Sequence, residues 1–318
     1  MNLIPSYYRV IIAKDGYGNS EDASGIQNLD GSAADDVFQG NAAGNMFWGN
    51  GGDDFLYGGE GNDSLYGGDV GDNIVGGMGN DEAAGGKGAD RMDGGVGQDT
   101  LGFWDVDATG HGARVDLSRA TAVVRDDGYG NAENVFSFEC LAGSDFGDSF
   151  TGNSRFDTMW GNGGADTLGG SGGDDNLYGG AGIDHVYGGS GCDTIWGGTG
   201  SDILFGGINR DVFAFGALDP KTEAGDHIKD FKVGEDTLQI YFNWAPDLAY
   251  GTALPTQFLL GAGVAAATTA DQRLIYDTTS GHLYFDGGGT GSAASVLLAT
   301  IDNHAALTWH SFFFSNFY

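Results

Sequence analysis

Apolar residues recur at every ninth position in two long stretches of the chain. Eight consecutive nonapeptides run from Gly31 to Gly102, and eight more run from Gly143 to Ala214, in phase within each stretch. Typical members read GGEGNDSLY and GGSGCDTIW, with glycines at positions one, two and four, aspartate at position six and an apolar residue at position eight. A fixed nine-residue period predicts stacked repeats rather than an ordinary globular core.

Position eight predicts the core of these stacks. Residues seven to nine make a strand too short to be stable alone, but strands stacked about 4.8 Å apart pair with their neighbours. Two strands make a coil of 18 residues, and the apolar side chains form a continuous inner ladder. The ladder residues are Phe38, Phe47, Leu56, Leu65, Ile74, Ala83, Met92, Leu101, Phe150, Met159, Leu168, Leu177, Val186, Ile195, Leu204 and Phe213.

The two blocks belong to a tandem duplication. DGYGN occurs at Asp15 and Asp127, and WGNGG occurs at Trp48 and Trp160, both at an offset of 112 residues. After Ala214 the period ends, and LIYD and HLYFD flank a turn-like TTSG in the pattern of a strand hairpin. We therefore predict five regions: an N-terminal extended segment (1–30), a first repeat block (31–102), an extended linker (103–142), a second block (143–214) and a C-terminal capping region (215–318).

Position six carries an aspartate in fifteen of the sixteen nonapeptides, and Asn45 is the exception. Repeats two apart lie on the same edge of the stack, so their carboxylates are expected to lie about 5 Å apart and to repel. The column consists of Asp36, Asp54, Asp63, Asp72, Asp81, Asp90, Asp99, Asp148, Asp157, Asp166, Asp175, Asp184, Asp193, Asp202 and Asp211.

A cation between successive coils would remove this repulsion. Ca²⁺ suits the position because it accepts six to eight oxygen ligands in flexible geometry. Backbone carbonyls would complete the shell, and the glycines permit the turn that directs them inward. We therefore interpret all fifteen aspartates as candidate calcium ligands. The turns at the ends of each block depart most from the pattern, and their sites are the weakest candidates.

The charge supports a cationic partner. The chain has 45 acidic and 13 basic residues, a formal net charge of −32, which disfavours nucleic acid and anionic membranes. Two cysteines are too few for a disulfide framework. We expect no membrane span and no N-terminal signal peptide, because MNLIPSYYRV lacks a basic segment followed by a long apolar run.

The motif GGxGxD followed by x-apolar-x resembles the repeat-in-toxin (RTX), or hemolysin-type, calcium-binding repeats. RDVFAF at Arg210, GDHIKDFKVGEDTLQI at Gly225 and the closing LTWHSFFFSNFY resemble the segment that follows the repeats in serralysin-like metalloproteases. The resemblance implies an all-β fold of two tandem parallel β-rolls, a nonapeptide solenoid, with a β-rich C-terminal cap. It also implies calcium binding and export by type I secretion machinery to the extracellular space, through an uncleaved signal in residues 215–318.

Motifs of catalysis are missing from the sequence. It contains no HExxH zinc pair, no GxSxG nucleophile elbow and no P-loop lysine after a glycine pair. We therefore predict a non-enzymatic protein that binds several Ca²⁺ ions and folds when it meets extracellular calcium. Two alternatives stay open: the tail of a secreted hydrolase or polysaccharide-modifying enzyme, and a calcium-dependent adhesin or surface-layer protein with a cell-surface or polysaccharide partner.

Overall fold

The computed structural model describes residues 9–14, 21–24, 27–104, 106–118, 122–216, 225–241, 251–286 and 295–315. Side chains are described outside 9–14, 21–24, 122 and 123. The first copy of DGYGN, residues 15–19, lies outside these ranges. The chain divides into two compact units, Met1–Thr151 and Gly152–Tyr318.

The first unit is built from short strands, most of them parallel. Each roll strand pairs with the strand two elements further on, which makes a coil of two strands. The strands are β1 (Arg9–Lys14), β2 (Glu21–Ser24), β3 (Asn28–Asp30), β4 (Val37–Gln39), β5 (Met46–Gly51), β6 (Phe55–Glu60), β7 (Ser64–Asp69), β8 (Asn73–Met78), β9 (Glu82–Lys87), β10 (Arg91–Val96), β11 (Thr100–Gly102), β12 (Arg114–Asp116), β13 (Ala122–Asp126), β14 (Glu133–Phe136), β15 (Cys140–Ala142) and β16 (Ser149–Thr151).

The second unit repeats this arrangement and continues it into the C-terminal region. Two short 3-10 turns, Pro255–Gln257 and Trp309–Ser311, are the helical elements among the described residues. The strands are β17 (Thr158–Trp160), β18 (Thr167–Gly172), β19 (Asn176–Ala181), β20 (His185–Ser190), β21 (Thr194–Thr199), β22 (Ile203–Ile208), β23 (Val212–Phe215), β24 (Asp226–Ile228), β25 (Thr237–Tyr241), β26 (Gly251–Thr252), β27 (Phe258–Gly261), β28 (Leu274–Asp277), β29 (His282–Phe285), β30 (Val296–Ile301) and β31 (Phe312–Ser315).

The position-eight ladder is the core of both rolls. All sixteen of its side chains are buried, with at most 3% of their surface exposed. In register, Leu56 lies opposite Ile74 and Val186 lies opposite Leu204, 18 residues apart. The predicted all-β fold with parallel β-rolls is confirmed.

The strands are longer than the three residues that the sequence predicts. Most roll strands have six residues, because the glycine pair that follows position nine continues the ladder. Gly59, for example, lies opposite Gly77, and Gly68 lies opposite Gly86. The turn of each repeat is therefore confined to positions four to six.

A hairpin appears twice at the offset of the duplication. Strands β1 and β2 pair antiparallel with Ile12 opposite Glu21, and β13 and β14 pair antiparallel with Val124 opposite Glu133. Both pairs of partners differ by 112 positions. The linker thus repeats the backbone arrangement of the N-terminal segment.

The C-terminal region extends the second roll. Strand β24 pairs parallel with β22, and β25 pairs parallel with β23. Strands β30 and β31 then add to β24 and β25, covering the ladder with Ile301, Phe312 and Phe314. The LIYD and HLYFD segments form the predicted antiparallel hairpin, β28 and β29.

Candidate metal centre

The aspartate column lies inside the protein rather than on a solvated face. Each of the fifteen position-six aspartates has at most 3% of its surface exposed. Ionised carboxylates are rarely buried so completely unless a hydrogen bond or a cation compensates for the lost water. The contacts of the two carboxylate oxygens therefore decide what the column can do.

One oxygen of each carboxylate joins two coils. The backbone N–H of Asp54 donates to Asp72 Oδ1 at 2.8 Å, and that of Asp184 donates to Asp202 Oδ1 at 2.8 Å. The same contact joins Asp36 to Asp54, Asn45 to Asp63, Asp63 to Asp81, Asp72 to Asp90, Asp81 to Asp99, Asp157 to Asp175, Asp166 to Asp184, Asp175 to Asp193 and Asp193 to Asp211. For Asp148 the donor is Ala113 of the linker. The column therefore pairs residues 18 apart within each unit.

The second oxygen of most of these carboxylates has no hydrogen-bond donor. Among the residues that the structure describes, the buried Oδ2 atoms without a donor belong to Asp54, Asp63, Asp72, Asp81, Asp99, Asp175, Asp184, Asp193, Asp202 and Asp211. A buried anionic oxygen left in this state destabilises the fold unless a cation binds it. We call these ten the open carboxylates.

Each interior open carboxylate faces a carbonyl oxygen of the next coil. A Cβ on Gly67 would lie within 2.6 Å of both Asp72 Oδ2 and the Gly85 carbonyl oxygen. The same pair of oxygens, within 2.7 Å, surrounds the position-one glycines Gly49, Gly58, Gly76, Gly152, Gly161, Gly170, Gly179 and Gly188. Any side chain at position one would fill this space. Carboxylate and carbonyl oxygens are the hard ligands that Ca²⁺ prefers, so these residues fit a calcium ion.

The three glycines of a turn serve two different purposes. Gly77 at position two and Gly79 at position four have φ angles of 121° and 133°, a region that residues with a side chain avoid. Gly76 at position one has no such angle, and it is glycine because of the neighbouring oxygens. The sequence argument attributed all three glycines to backbone conformation, and for position one the reason is space.

Three predicted ligands lie in turns of another kind. Asp36 Oδ2 accepts the Ser32 N–H at 2.6 Å, and Asp148 Oδ2 accepts the Ser144 N–H at 2.8 Å. Asp157 Oδ2 accepts the Asn153 N–H at 2.7 Å. These carboxylates already have a donor from position two of their own turn. We call these three the closed carboxylates.

Burial raises the pKa of the column carboxyls. It raises the pKa of Asp72 to about 8, although a backbone hydrogen bond from Asp54 lowers it and neighbouring carboxylates raise it further. Burial likewise raises the pKa of Asp63, Asp175 and Asp211 to about 7. It raises that of Asp54, Asp99, Asp148, Asp184 and Asp193 to about 6. Without a bound cation, the column is therefore costly to ionise.

Sequence reasoning missed four acidic residues that continue the column. Register places Glu133 opposite Asp90, Glu139 opposite Asp99, Asp226 opposite Asp202 and Asp236 opposite Asp211. Asp226, Asp236 and Glu133 are buried. The signal was an acid, a variable residue and an apolar residue without glycines, as in ENV, ECL, DHI and DTL.

Two searches of the described residues bear on function. No group of three or more His, Cys, Asp or Glu side chains there is arranged to hold a metal ion, so a site must combine one or two carboxylates with backbone oxygens. Within those ranges the structure also contains no helix of the length and apolar character needed to cross a bilayer.

Comparison with known proteins identifies the repeats. The family described as RTX calcium-binding nonapeptide repeat (4 copies) matches residues 30–65, 66–101, 142–177 and 178–213. A search of curated proteins gave no match. Among solved structures, the AlgE6R3 subunit of the Azotobacter vinelandii mannuronan C5-epimerase is 22% identical over 52% of this chain and 76% of that chain, with a TM-score of 0.27. The extracellular lipase LipA from Serratia marcescens is 16% identical over 94% of this chain and 41% of that chain, with a TM-score of 0.22.

Proposed function

The chain belongs, through its four matched segments, to the proteins with RTX calcium-binding nonapeptide repeats, and on this premise we propose that calcium binding drives its folding outside the cell. The repeats bind Ca²⁺ within a β-roll. The observation that supports coupling to folding is the set of buried Oδ2 atoms without a donor. A folded roll without cations would keep these oxygens desolvated and uncompensated.

The ligands that we propose are the ten open carboxylates together with the position-one carbonyl oxygens that face them. Asp90 and Asp166 lie in the same column and are proposed with them. The closed carboxylates Asp36, Asp148 and Asp157 already accept a backbone N–H, so we assign them a weaker share in calcium binding.

Magnitudes permit a folding switch. A site at a calcium concentration tenfold above its dissociation constant contributes about 1.4 kcal/mol to stability. Six such sites contribute roughly 8 kcal/mol, comparable to the whole stability of a typical domain. A chain that is unfolded in calcium-poor cytosol and folded in millimolar calcium follows from these figures.

Far-UV circular dichroism tests the switch. We expect a disordered spectrum in chelator and a β spectrum in millimolar calcium. Magnesium should not replace calcium, because it requires near-octahedral geometry at short distances and releases its waters reluctantly. A β spectrum in chelator at neutral pH would contradict the proposal.

Export by a type I secretion system is the second part of the proposal. We assign the signal to residues 215–318, as the resemblance to serralysin-like proteins implies. A reporter fused to these residues should appear in the medium of cells that carry a type I exporter. A reporter that stays inside such cells, while a known type I substrate is exported, would refute this assignment.

A further inference from the structure

The aspartate column of the second unit continues into the C-terminal region. Strand β24 pairs with β22 so that His227 lies opposite Ile203, and Asp226 therefore occupies position six of an added coil. Asp226 is buried, with 2% of its surface exposed, and its Oδ1 accepts the Asp202 N–H at 3.2 Å. This is the contact that joins successive repeats, although 24 residues rather than 18 separate the two aspartates.

The space beside Gly197 differs from that beside the interior glycines. A Cβ on Gly197 would lie 2.5 Å from Asp202 Oδ2 and 3.0 Å from Asp226 Oδ2. Two carboxylate oxygens thus converge where an interior turn offers one carboxylate and one carbonyl oxygen. Asp202 is fully buried and its Oδ2 has no donor among the described residues. The arrangement requires a cation more strongly than any interior turn does.

The end of the first roll shows that a non-repeat segment can supply an oxygen at this place. A Cβ on Gly94 would contact the carbonyl oxygen of Ser137, a linker residue with a φ of 55°. Glu139 of the linker accepts the Asp99 N–H at 3.2 Å. There the added oxygen is an uncharged carbonyl, so the two rolls end in sites of different charge.

The other edge of the added coil in the second unit carries a built-in cation. Asp236 Oδ2 accepts the Lys232 N–H at 2.7 Å, and the Lys232 ammonium donates to the Gly207 carbonyl oxygen. Asp230 accepts the N–H groups of Gly206 and Gly207, each at 2.9 Å. At that edge the chain itself supplies positive charge, whereas no lysine or arginine contact is recorded at Asp202 and Asp226.

We propose that Asp202 and Asp226 share a calcium ion that joins the C-terminal region to the second roll. The inference rests on the proposed function, because it assumes that the repeats take up calcium. Affinity for Ca²⁺ rises with the number of charged ligands, so this ion binds more tightly than an interior ion. The C-terminal coil is then ordered at or below the calcium concentration that orders the repeats.

The test is a calcium titration of the full chain, with bound ions counted by equilibrium dialysis. Asp226→Asn should lose one ion and leave the remaining ions bound. Asp230→Asn is the matched control: it lies in the same coil and contacts the same roll, but away from the paired carboxylates, and it should keep the full count. An unchanged ion count and affinity in Asp226→Asn would overturn the proposal.

Hydrogen exchange along the titration of the unmodified chain gives an independent reading if the variant fails to fold. Residues 226–228 should gain protection at or below the calcium concentration that protects β19 and β20. Protection of 226–228 only at about tenfold higher calcium would also overturn the shared site. If the unmodified chain takes up no calcium, the proposed function fails as well, and the two failures are thereby distinguished.

Discussion

The closed and open carboxylates differ in the backbone of position two. Ser32, Ser144 and Asn153 lie at position two of the closed turns without a positive φ, and each donates its N–H to the aspartate of its own turn. Gly68 and Gly180 occupy position two of the turns around Asp72 and Asp184, with φ angles of 120° and 110°. The same aspartate column is thus satisfied locally in one set of turns and left open to a cation in the other.

This comparison shows what the glycine pair achieves. A positive φ at position two turns the local N–H away from the carboxylate, so the Oδ2 atom keeps its lone pairs for an ion. A closed turn is complete without metal, and it suits the coil where a roll begins. An open turn depends on the cation, and it couples the interior of the roll to calcium.

The largest expected effect comes from removing an open carboxylate. Asp184→Asn should weaken calcium-induced folding much more than Asp36→Asn, because Asp36 Oδ2 already has a donor. Asp184 lies between two coils, and two sites at about 1.4 kcal/mol each give a loss on the order of 3 kcal/mol. Calcium titrations followed by circular dichroism measure the two midpoints, and equal midpoints would contradict the distinction between open and closed turns.

Filling the space beside an open carboxylate should act almost as strongly. Gly179→Ala places a methyl group between Asp184 Oδ2 and the Gly197 carbonyl oxygen, so the ion should be excluded while both ligands remain. The matched control is Gly263→Ala, where φ is 71° and no atom lies within 4 Å of the new methyl group. The control should lose about 1 kcal/mol through backbone strain alone, with the number of bound ions unchanged.

An equal calcium count in Gly179→Ala and in the unmodified chain would show that the oxygens beside position one do not bind the ion. A reduced count in Gly263→Ala would show that the assay responds to backbone strain rather than to the site.

The open turns should also make the calcium-free fold sensitive to pH. Burial raises the pKa of Asp72 to about 8 and that of Asp63 to about 7, above the ordinary value of 3.8. The folded state therefore binds more protons than the unfolded state in this range, so stability in chelator should rise as pH falls from 8 to 5. Asp277, whose pKa hydrogen bonds from Thr279 and Ser280 lower to about 2, stays ionised throughout.

Circular dichroism in chelator at several pH values measures this effect. More β structure at pH 5 than at pH 8 is expected, and the reverse order would contradict it. With calcium present the trend should reverse, because the ion binds the ionised carboxylates.

The sequence predicted most of the roll and only part of the site. The nine-residue phase determines which side chain is in the ladder and which aspartates stack, since both follow from the coil length. The identity of the closed turns did not follow from the aspartates, because Asp36 and Asp72 look alike in the pattern. They differ in their neighbours: GSAADD lacks glycine at positions two and four, whereas GGDVGD keeps the glycine pair.

The added coil escaped prediction for a physical reason. Asp226 is 24 residues from Asp202, and residues 217–224 between them interrupt the nine-residue phase. A parallel strand needs only a matching acid and apolar residue in register, whatever the length of the connection. Periodicity therefore finds repeats, but it misses a coil that a longer loop brings into the same place.

The smallest effect should come from Val70, which tests how far the open conformation prevails over local preference. Val70 stands at position four of its turn with a φ of 84°, a region that a β-branched residue strongly disfavours. Its turn still contains an open carboxylate, Asp72, so the stacked coils and the glycine pair impose the conformation. Val70→Gly should relieve this strain and stabilise the folded state by about 1 kcal/mol, partly offset by the greater freedom of glycine in the unfolded chain. The side chain is half exposed, so its loss removes little packing. Urea unfolding in saturating calcium measures the difference, with the calcium count unchanged. A destabilised Val70→Gly would mean that the valine contributes contacts worth more than the strain, and that position four tolerates side chains in an open turn.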